Sequence, residues 1–139
     1  MENYSEHFYK IIFRYFGDSC FIAKNNEDII GFVTGFRSQN DSNKFFLWQI
    51  GVSSYYRGEE IGKKLLDELE KTAKKLNCRI MELTVDPENI PSQRFFEKNG
   101  YKNVSSNEGE TVEVKGKFAV KDYYKPGRHF ILFQKELSL

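Results

Sequence analysis

The run LWQIGVSSYYRGEEIGKK, Leu47 to Lys64, changes character twice along its length. It begins inside the apolar stretch Phe45–Ile50, crosses a polar turn at Ser53–Tyr56, and enters a helical pattern at Arg57-Gly58-Glu59-Glu60-Ile61-Gly62. A strand, a glycine-bearing loop and a helix start make a site for an anion. The first-turn N–H groups of a helix lack internal partners, and the helix dipole adds partial positive charge there. Arg57, Lys63 and Lys64 add full charges, so a phosphate-bearing guest is expected. Without further signals, a glycine turn before an amphipathic helix is ordinary structure. The spacing is neither the dinucleotide fingerprint G-x-G-x-x-G nor a P-loop.

Downstream, Ile61, Leu65, Leu66, Leu69, Ala73 and Leu76 recur on one helical face. Asp67 with Lys71 and Glu70 with Lys74 are expected as i,i+4 pairs on the other, and Asn77 ends the helix. Ile80–Val85 reads as a strand parallel to Phe45–Val52, because a short crossover helix joins them. Asp86-Pro87-Glu88-Asn89 is a turn. A short helix spans Pro91–Lys98 and closes at Asn99-Gly100. Tyr101–Ser105 is a strand, Thr111–Val120 another strand or an irregular arm, and Phe130–Lys135 the last strand. Upstream, Tyr4–Phe16 has helical spacing with Ser5 as a candidate cap. Cys20–Lys24 and Ile29–Phe36 form a hairpin, with Gly31 and Gly35 marking a bulge or a close approach. The order predicts an α+β chain: a mixed sheet with helices packed on it.

The chain has 139 residues, which suits one domain over residues 1–139. Lys and Arg number 21 and Asp and Glu 20, so no broad positive field suggests nucleic acid as a partner. No run is long and apolar enough for a membrane span and no leader opens the chain, so a cytoplasmic location is expected. Cys20 and Cys78 lie apart in apolar settings and read as reduced, buried thiols. With His7 and His129 the only histidines, a zinc site or a Ser-His-Asp triad is not expected.

Three stretches carry a family resemblance. The first, R-G-x-x-I-G-K-K-L-L after a strand ending in V-S, resembles the acetyl-CoA motif of the GNAT N-acetyltransferases, [QR]-x-x-G-x-[GA]. Arg57 and Gly62 match, and Glu60 stands in place of the middle glycine. The resemblance implies that the main chain of Arg57, Gly58, Glu59, Glu60, Ile61, Gly62 and Lys63 cradles the cofactor pyrophosphate. Ile50 and Val52 on the preceding strand would hold the pantetheine arm. The second, Asn89 to Tyr101, resembles N-x-x-[AS]-x-x-[LF]-Y-[ER]-K-x-G-[FY]. It implies cofactor contacts from Asn89 and Phe96, against the plainer reading of a helix cap and a core ring. Many relatives have tyrosine at Phe96 as the acid for the departing thiolate, and phenylalanine cannot serve there.

The third comprises Gly31–Phe36, Phe46–Ile50 and Glu82–Asn89. It resembles the diaminobutyrate acetyltransferases of ectoine synthesis, a GNAT group, from about Tyr9 to Gly100. It implies that Trp48 and Thr84 line the amine site. Past Gly100 the likeness fades, and Asp122-Tyr123-Tyr124-Lys125-Pro126-Gly127 resembles the D/N-Y-Y-x-x-G turn of N-terminal protein and small-amine acetyltransferases. Tyr123 and Tyr124 become candidate acids, with Tyr124 preferred. A surface pair anchoring a loop is the competing account. The family's usual first strand and helix have no counterpart before Tyr4. A sheet edge is therefore expected to be open, covered by a second copy in a homodimer or left by truncation.

A lysine-like amine with a pKa of about 10 must lose a proton before it attacks a thioester. A carboxylate is the natural acceptor. Glu82, on the same strand face as Thr84 by alternation, is the candidate base, weighed evenly against a surface ion pair. A main-chain N–H on the central strand, at Val52, would hold the oxyanion, with the thioester between splayed strands Phe45–Val52 and Ile80–Val85. Neither a metal nor a covalent enzyme intermediate is required. The expected activity is acetyl transfer from acetyl-CoA to a primary amine of a small metabolite, diaminobutyrate- or polyamine-like. The alternatives are acetylation of a peptide N-terminus or lysine, and a catalytically weak CoA-binding module.

Overall fold

The computed structural model describes residues 6–56 and 58–138, which form two compact units, Met1–Met81 with Leu137–Leu139, and Glu82–Glu136. Ser5 and Arg57 lie outside the described residues, as does the side chain of Glu59.

The first unit opens with helix α1, Glu6–Tyr15, and a single three-ten turn at Gly17–Ser19. Strands β1 (Cys20–Asn25), β2 (Asp28–Arg37) and β3 (Lys44–Val52) follow as an antiparallel meander. The β1–β2 turn needs only Asn26 and Glu27, because Asn26 accepts φ 56, which an asparagine tolerates. Helix α2, Glu59–Lys75, lies on one face of the meander. Its apolar stripe is sealed: Leu65, Leu66, Leu69 and Ala73 are all nearly inaccessible. Leu76 departs from the expected stripe. It caps the helix and is 39% exposed, since the chain turns away there through Asn77 at φ 63. The expected Asp67–Lys71 pair is replaced by two others. Lys63 reaches Asp67, Lys71 reaches Glu68, and Glu70 is buried rather than solvated. Both cysteines are free and buried, and burial pushes each thiol's pKa up.

The α2 face of β2 is built from its glycines. A Cβ at Gly31 would lie 3.1 Å from Leu65 Cδ1. One at Gly35 would meet the Phe46 carbonyl oxygen at 2.7 Å, the Phe45 ring at 2.8 Å and Leu69 Cδ2 at 3.1 Å. Gly35→Ala should therefore destabilise the fold by about 1–3 kcal/mol through overpacking. Gly17→Ala, whose Cβ meets nothing within 4 Å, should not. Thermal melts of the pair test this: equal midpoints would mean that β2 stands off the helix.

The strand register slips at the same place. Thr34 pairs with Gln49 but Gly35 pairs with Leu47, so Trp48 is an extra residue on β3, a β-bulge. The slip breaks the alternation of β3. Trp48 packs edge-on to Phe8 of α1, with ring centroids 5.3 Å apart, and lies near Phe36, on the face opposite α2.

The second unit contains most of strand β4 (Ile80–Val85), helix α3 (Ile90–Lys98), and strands β5 (Lys102–Asn103), β6 (Thr111–Val114), β7 (Lys117–Lys125) and β8 (Arg128–Glu136). The order is β4-β8-β7-β6, with β5 on β8. Two expectations change here. The strand expected at Tyr101–Ser105 shrinks to two residues, because Ser105 starts a three-ten turn and its buried hydroxyl accepts the Leu132 N–H at 3.0 Å. The segment expected as one strand, Thr111–Val120, is a tight hairpin. Val114 pairs with Lys117, and Lys115 and Gly116 both take positive φ, which suits a two-residue turn to the strand twist. The core gathers Leu83, Phe96, Tyr101, Ile131, Leu132 and Phe133.

Candidate active site

Strand β4 alternates buried and half-buried positions. Met81, Leu83 and Val85 point into the core, while Glu82 and Thr84 share the other face. Gln134 of β8 donates its Nε2–H to Glu82 Oε1 at 2.7 Å. That bond fixes the carboxylate from one side. Gln134 was not singled out from the sequence, because nothing local marks a glutamine in a strand as a partner of a residue on another strand.

Thr84 meets Tyr124. The two hydroxyl oxygens are 3.2 Å apart and share a hydrogen bond. The tyrosine reaches that position through a large irregularity in β7. Val120 pairs with Phe130 and Lys125 with Arg128, so Lys121 to Tyr124 stand opposite His129 alone. Asp122 makes this possible. Its φ is 51, its N–H is accepted by His129 Nδ1 at 3.1 Å, and its Oδ1 accepts the Gly127 N–H at 2.8 Å. Within the motif expected as a turn, Asp122–Tyr124 is thus a pinned bulge, and the chain reverses as expected at Pro126-Gly127. The bulge throws out both tyrosines. Tyr123 and Tyr124 meet edge-on with ring centroids 4.6 Å apart, and Tyr124 also packs on Phe130 at 5.1 Å.

Electrostatics keep both phenols protonated. Burial is the main reason that Tyr123 is pushed up to about 12, with Tyr124, Glu82 and Glu108 adding to it. Burial also raises Tyr124; the Thr84 hydrogen bond opposes the rise and the Glu82 charge adds to it. Each is therefore a hydrogen-bond donor at neutral pH, within the field of a carboxylate.

The turn after β4 is held from below. Gln93, 1% exposed, donates to the carbonyls of Pro87 at 2.8 Å and Asp86 at 3.3 Å. Asn89 caps α3 by accepting the Ser92 N–H at 3.2 Å. Phe96, 3% exposed, packs with Phe95, Tyr101 and Phe133 in the core.

In the first unit, β3 ends at Val52 and the chain makes a three-ten turn, Ser54–Tyr56, before α2. Ile50 and Val52 lie half-buried on the α2 face, paired with Val33 and Gly31. Gly58 precedes the first helical residue with no side-chain cap. Nothing in the fold demands glycine there: its φ of 168 is ordinary extended backbone, and a Cβ would meet nothing within 4 Å. The missing side chain instead leaves the helix entrance approachable. Glu60 pairs with Lys64 at 3.4 Å along the exposed flank, an attraction worth about 0.3–0.5 kcal/mol in such positions. Ile61 is half-buried, Gly62 is buried, and Lys63 is engaged with Asp67.

Residues 1–101 match the model of the acetyltransferase (GNAT) family, well over half of the chain. The chain belongs to the GNAT family. Its fold is the GNAT fold, a mixed and mostly antiparallel sheet with three helices among the described residues. It is similar to the L-2,4-diaminobutyric acid acetyltransferases of Halalkalibacterium halodurans and Shouchella clausii, at 39% and 34% identity over 98 residues. Those alignments cover 70% of this chain in each case and 52% and 55% of the relatives. This GNAT chain therefore spans about half the length of the curated relatives it matches. Among solved structures it is similar to diaminobutyrate acetyltransferase from Paenibacillus lautus, a protein in complex with its substrate L-2,4-diaminobutyric acid and coenzyme A. Identity is 26% and the TM-score 0.69, over 96% of this chain and 79% of that one. A ribosomal-protein-alanine N-acetyltransferase from Brucella melitensis shares the fold at 18% identity and a TM-score of 0.68, over 94% and 76% of the two chains. No described helix of this GNAT chain is long and apolar enough to cross a membrane.

Proposed function

We propose that this GNAT chain is a single catalytic domain that transfers acetyl from acetyl-CoA to a primary amine of a small diamine of the diaminobutyrate type, in the cytoplasm. The observation that carries the reading is the grouping of Glu82, held by Gln134, with Thr84 and the bulge-borne Tyr124. The relatives named above support the acceptor class.

The residues divide the work. The α2 entrance at Gly58 to Lys63 binds the cofactor diphosphate through main-chain N–H groups, and Arg57 adds a positive charge. Ile50 and Val52 offer main chain to the pantetheine arm, and the Val52 N–H is the candidate oxyanion donor. Acetyl-CoA supplies a thioester whose carbonyl carbon accepts the amine nitrogen. Glu82 takes the proton the ammonium must lose. Tyr124 donates a hydrogen bond to the sulfur as the C–S bond breaks, with Tyr123 beside it. Trp48 and Thr84 border the amine. Asn89 and Phe96 serve the cofactor by keeping α3 capped and packed.

Calorimetry with acetyl-CoA, followed by thiol release over a panel of amines and peptides, tests the reading. Release with diaminobutyrate above the peptide rate is expected. Tight binding with no release from any amine would leave a CoA-binding module instead. The cofactor half has its own test. Gly58→Ala, which keeps every N–H but sets a methyl at the open helix entrance, should weaken acetyl-CoA by about tenfold without moving the melting point. Glu60→Ala, altering the exposed flank, should change affinity less than about threefold. Equal affinities for wild type and Gly58→Ala would remove the diphosphate from this turn.

A further inference from the structure

Tyr124 owes its place to a stretch of β7 that has lost its ladder. Between the pairs Val120–Phe130 and Lys125–Arg128, the bulge must find main-chain partners elsewhere. The Lys121 N–H donates to the Glu110 carbonyl at 2.8 Å, on the side of β6. The Asp122 N–H donates the other way, to His129 Nδ1 on β8 at 3.1 Å. Asp122 sits at φ 51, a conformation that a residue with a side chain keeps where its surroundings impose it.

The bond to β8 dictates the state of the His129 ring. A neutral imidazole has one nitrogen that donates and one that accepts, and an imidazolium has none that accepts. Nδ1 takes the Asp122 N–H, so the ring is neutral and its proton sits on Nε2. Asp122 Oδ1 lies 3.8 Å from the same nitrogen but accepts the Gly127 N–H at 2.8 Å, so that carboxylate is committed to the turn. The next residue of β8 seats the phenol. Phe130 packs on the Tyr124 ring at 5.1 Å, and Thr84 Oγ1 meets its hydroxyl at 3.2 Å. Phe130 and Thr84 hold the side chain, and His129 holds the main chain that delivers it.

We propose that His129 is a positioning residue for Tyr124: as the Nε2–H tautomer it accepts the Asp122 N–H and so keeps the phenol on Thr84, where the transfer uses it. The role in turnover rests on the acetyl-transfer reading above; the tautomer does not.

Two measurements test it. The chain has two histidines, so His129→Phe assigns the His129 signals in a nitrogen-edited NMR spectrum of the wild type. At pH 8, Nδ1 should carry no proton and Nε2 should carry one. The opposite tautomer would remove the pin, whatever the protein catalyses. Kinetics with 2,4-diaminobutyrate and acetyl-CoA then read the role. His129→Phe keeps a flat ring and removes the acceptor. It should lower kcat about three- to tenfold, the effect of one hydrogen bond, with both KM values within about twofold. His129→Asn offers Oδ1 to the same N–H and should recover most of the lost kcat. The deciding variant is the double one. In a Tyr124→Phe background, His129→Phe should change kcat less than about twofold, because the hydroxyl it positions is already gone. A loss as large there as in the wild type would make His129 a general prop of the fold and overturn the positioning role. So would a failure of His129→Asn to recover what His129→Phe loses. Absence of thiol release by the wild type with every amine of the panel would instead bring down the acetyl-transfer reading, and the role in turnover with it, while the tautomer is still read by NMR.

Discussion

Replacing Glu82 by Gln should lower kcat/KM for an amine acceptor about 10²–10³-fold at pH 7. Near neutral pH an amine with a pKa of about 10 is free base in roughly one molecule in a thousand. A carboxylate that takes the proton at the moment of attack removes most of that handicap. The amide keeps the size and one acceptor oxygen, so Gln134 retains a partner and the β4–β8 contact survives. The deficit should shrink as pH rises toward 9.5, because solvent then does the deprotonation. A variant within threefold of wild type at pH 7, or a deficit constant across pH, would assign Glu82 to structure alone.

Tyr124→Phe should lower kcat about 10- to 100-fold with little change in either KM. The smaller effect has a reason. A phenol raised above its usual value of 10 is a weaker acid than a thiol with a pKa of about 8.5. In the proposed role it would therefore stabilise the leaving sulfur chiefly by hydrogen bonding rather than by completing a proton transfer. The phenylalanine ring can still pack on Tyr123 and Phe130, so a stability loss is not the expected cause. The sign of the pH dependence is set by the raised phenol. Tyr124 donates while protonated, so wild-type activity should fall only above pH 10, and the variant should lack that limb. Tyr123 contributes to stability in the same direction. Its folded pKa of about 12 exceeds the unfolded value near 10, so its contribution is full below pH 10 and disappears as pH rises through 12. If Tyr123→Phe lowers kcat more than Tyr124→Phe, the two phenols exchange roles.

The amphipathic helix α2, the alternation of β4 and the cap at Asn89 were legible because each depends on residues near in sequence. Periods of 3.6 and 2 place Leu65, Leu69 and Ala73 together, and Glu82 with Thr84, whatever surrounds them. The glycines of β2 signalled a close approach or a bulge: α2 approaches both, β2 carries an extra residue at Ile30 beside Gly31, and a second slip lies opposite Gly35 on β3. The Lys115-Gly116 hairpin was missed although its signal was present: a glycine between two short alternating runs.

Local sterics and periodicity set the helix that follows the glycine turn and the β4 face shared by Glu82 and Thr84, and the family motifs could be read beside them. Strand register, by contrast, brought Gln134 to Glu82, carried Tyr124 to Thr84 on a bulge pinned by His129 and Gly127, and left Thr34 facing Gln49. Those relations join residues far apart in the chain. They depend on strand register, and one extra residue in a strand changes which side chains meet.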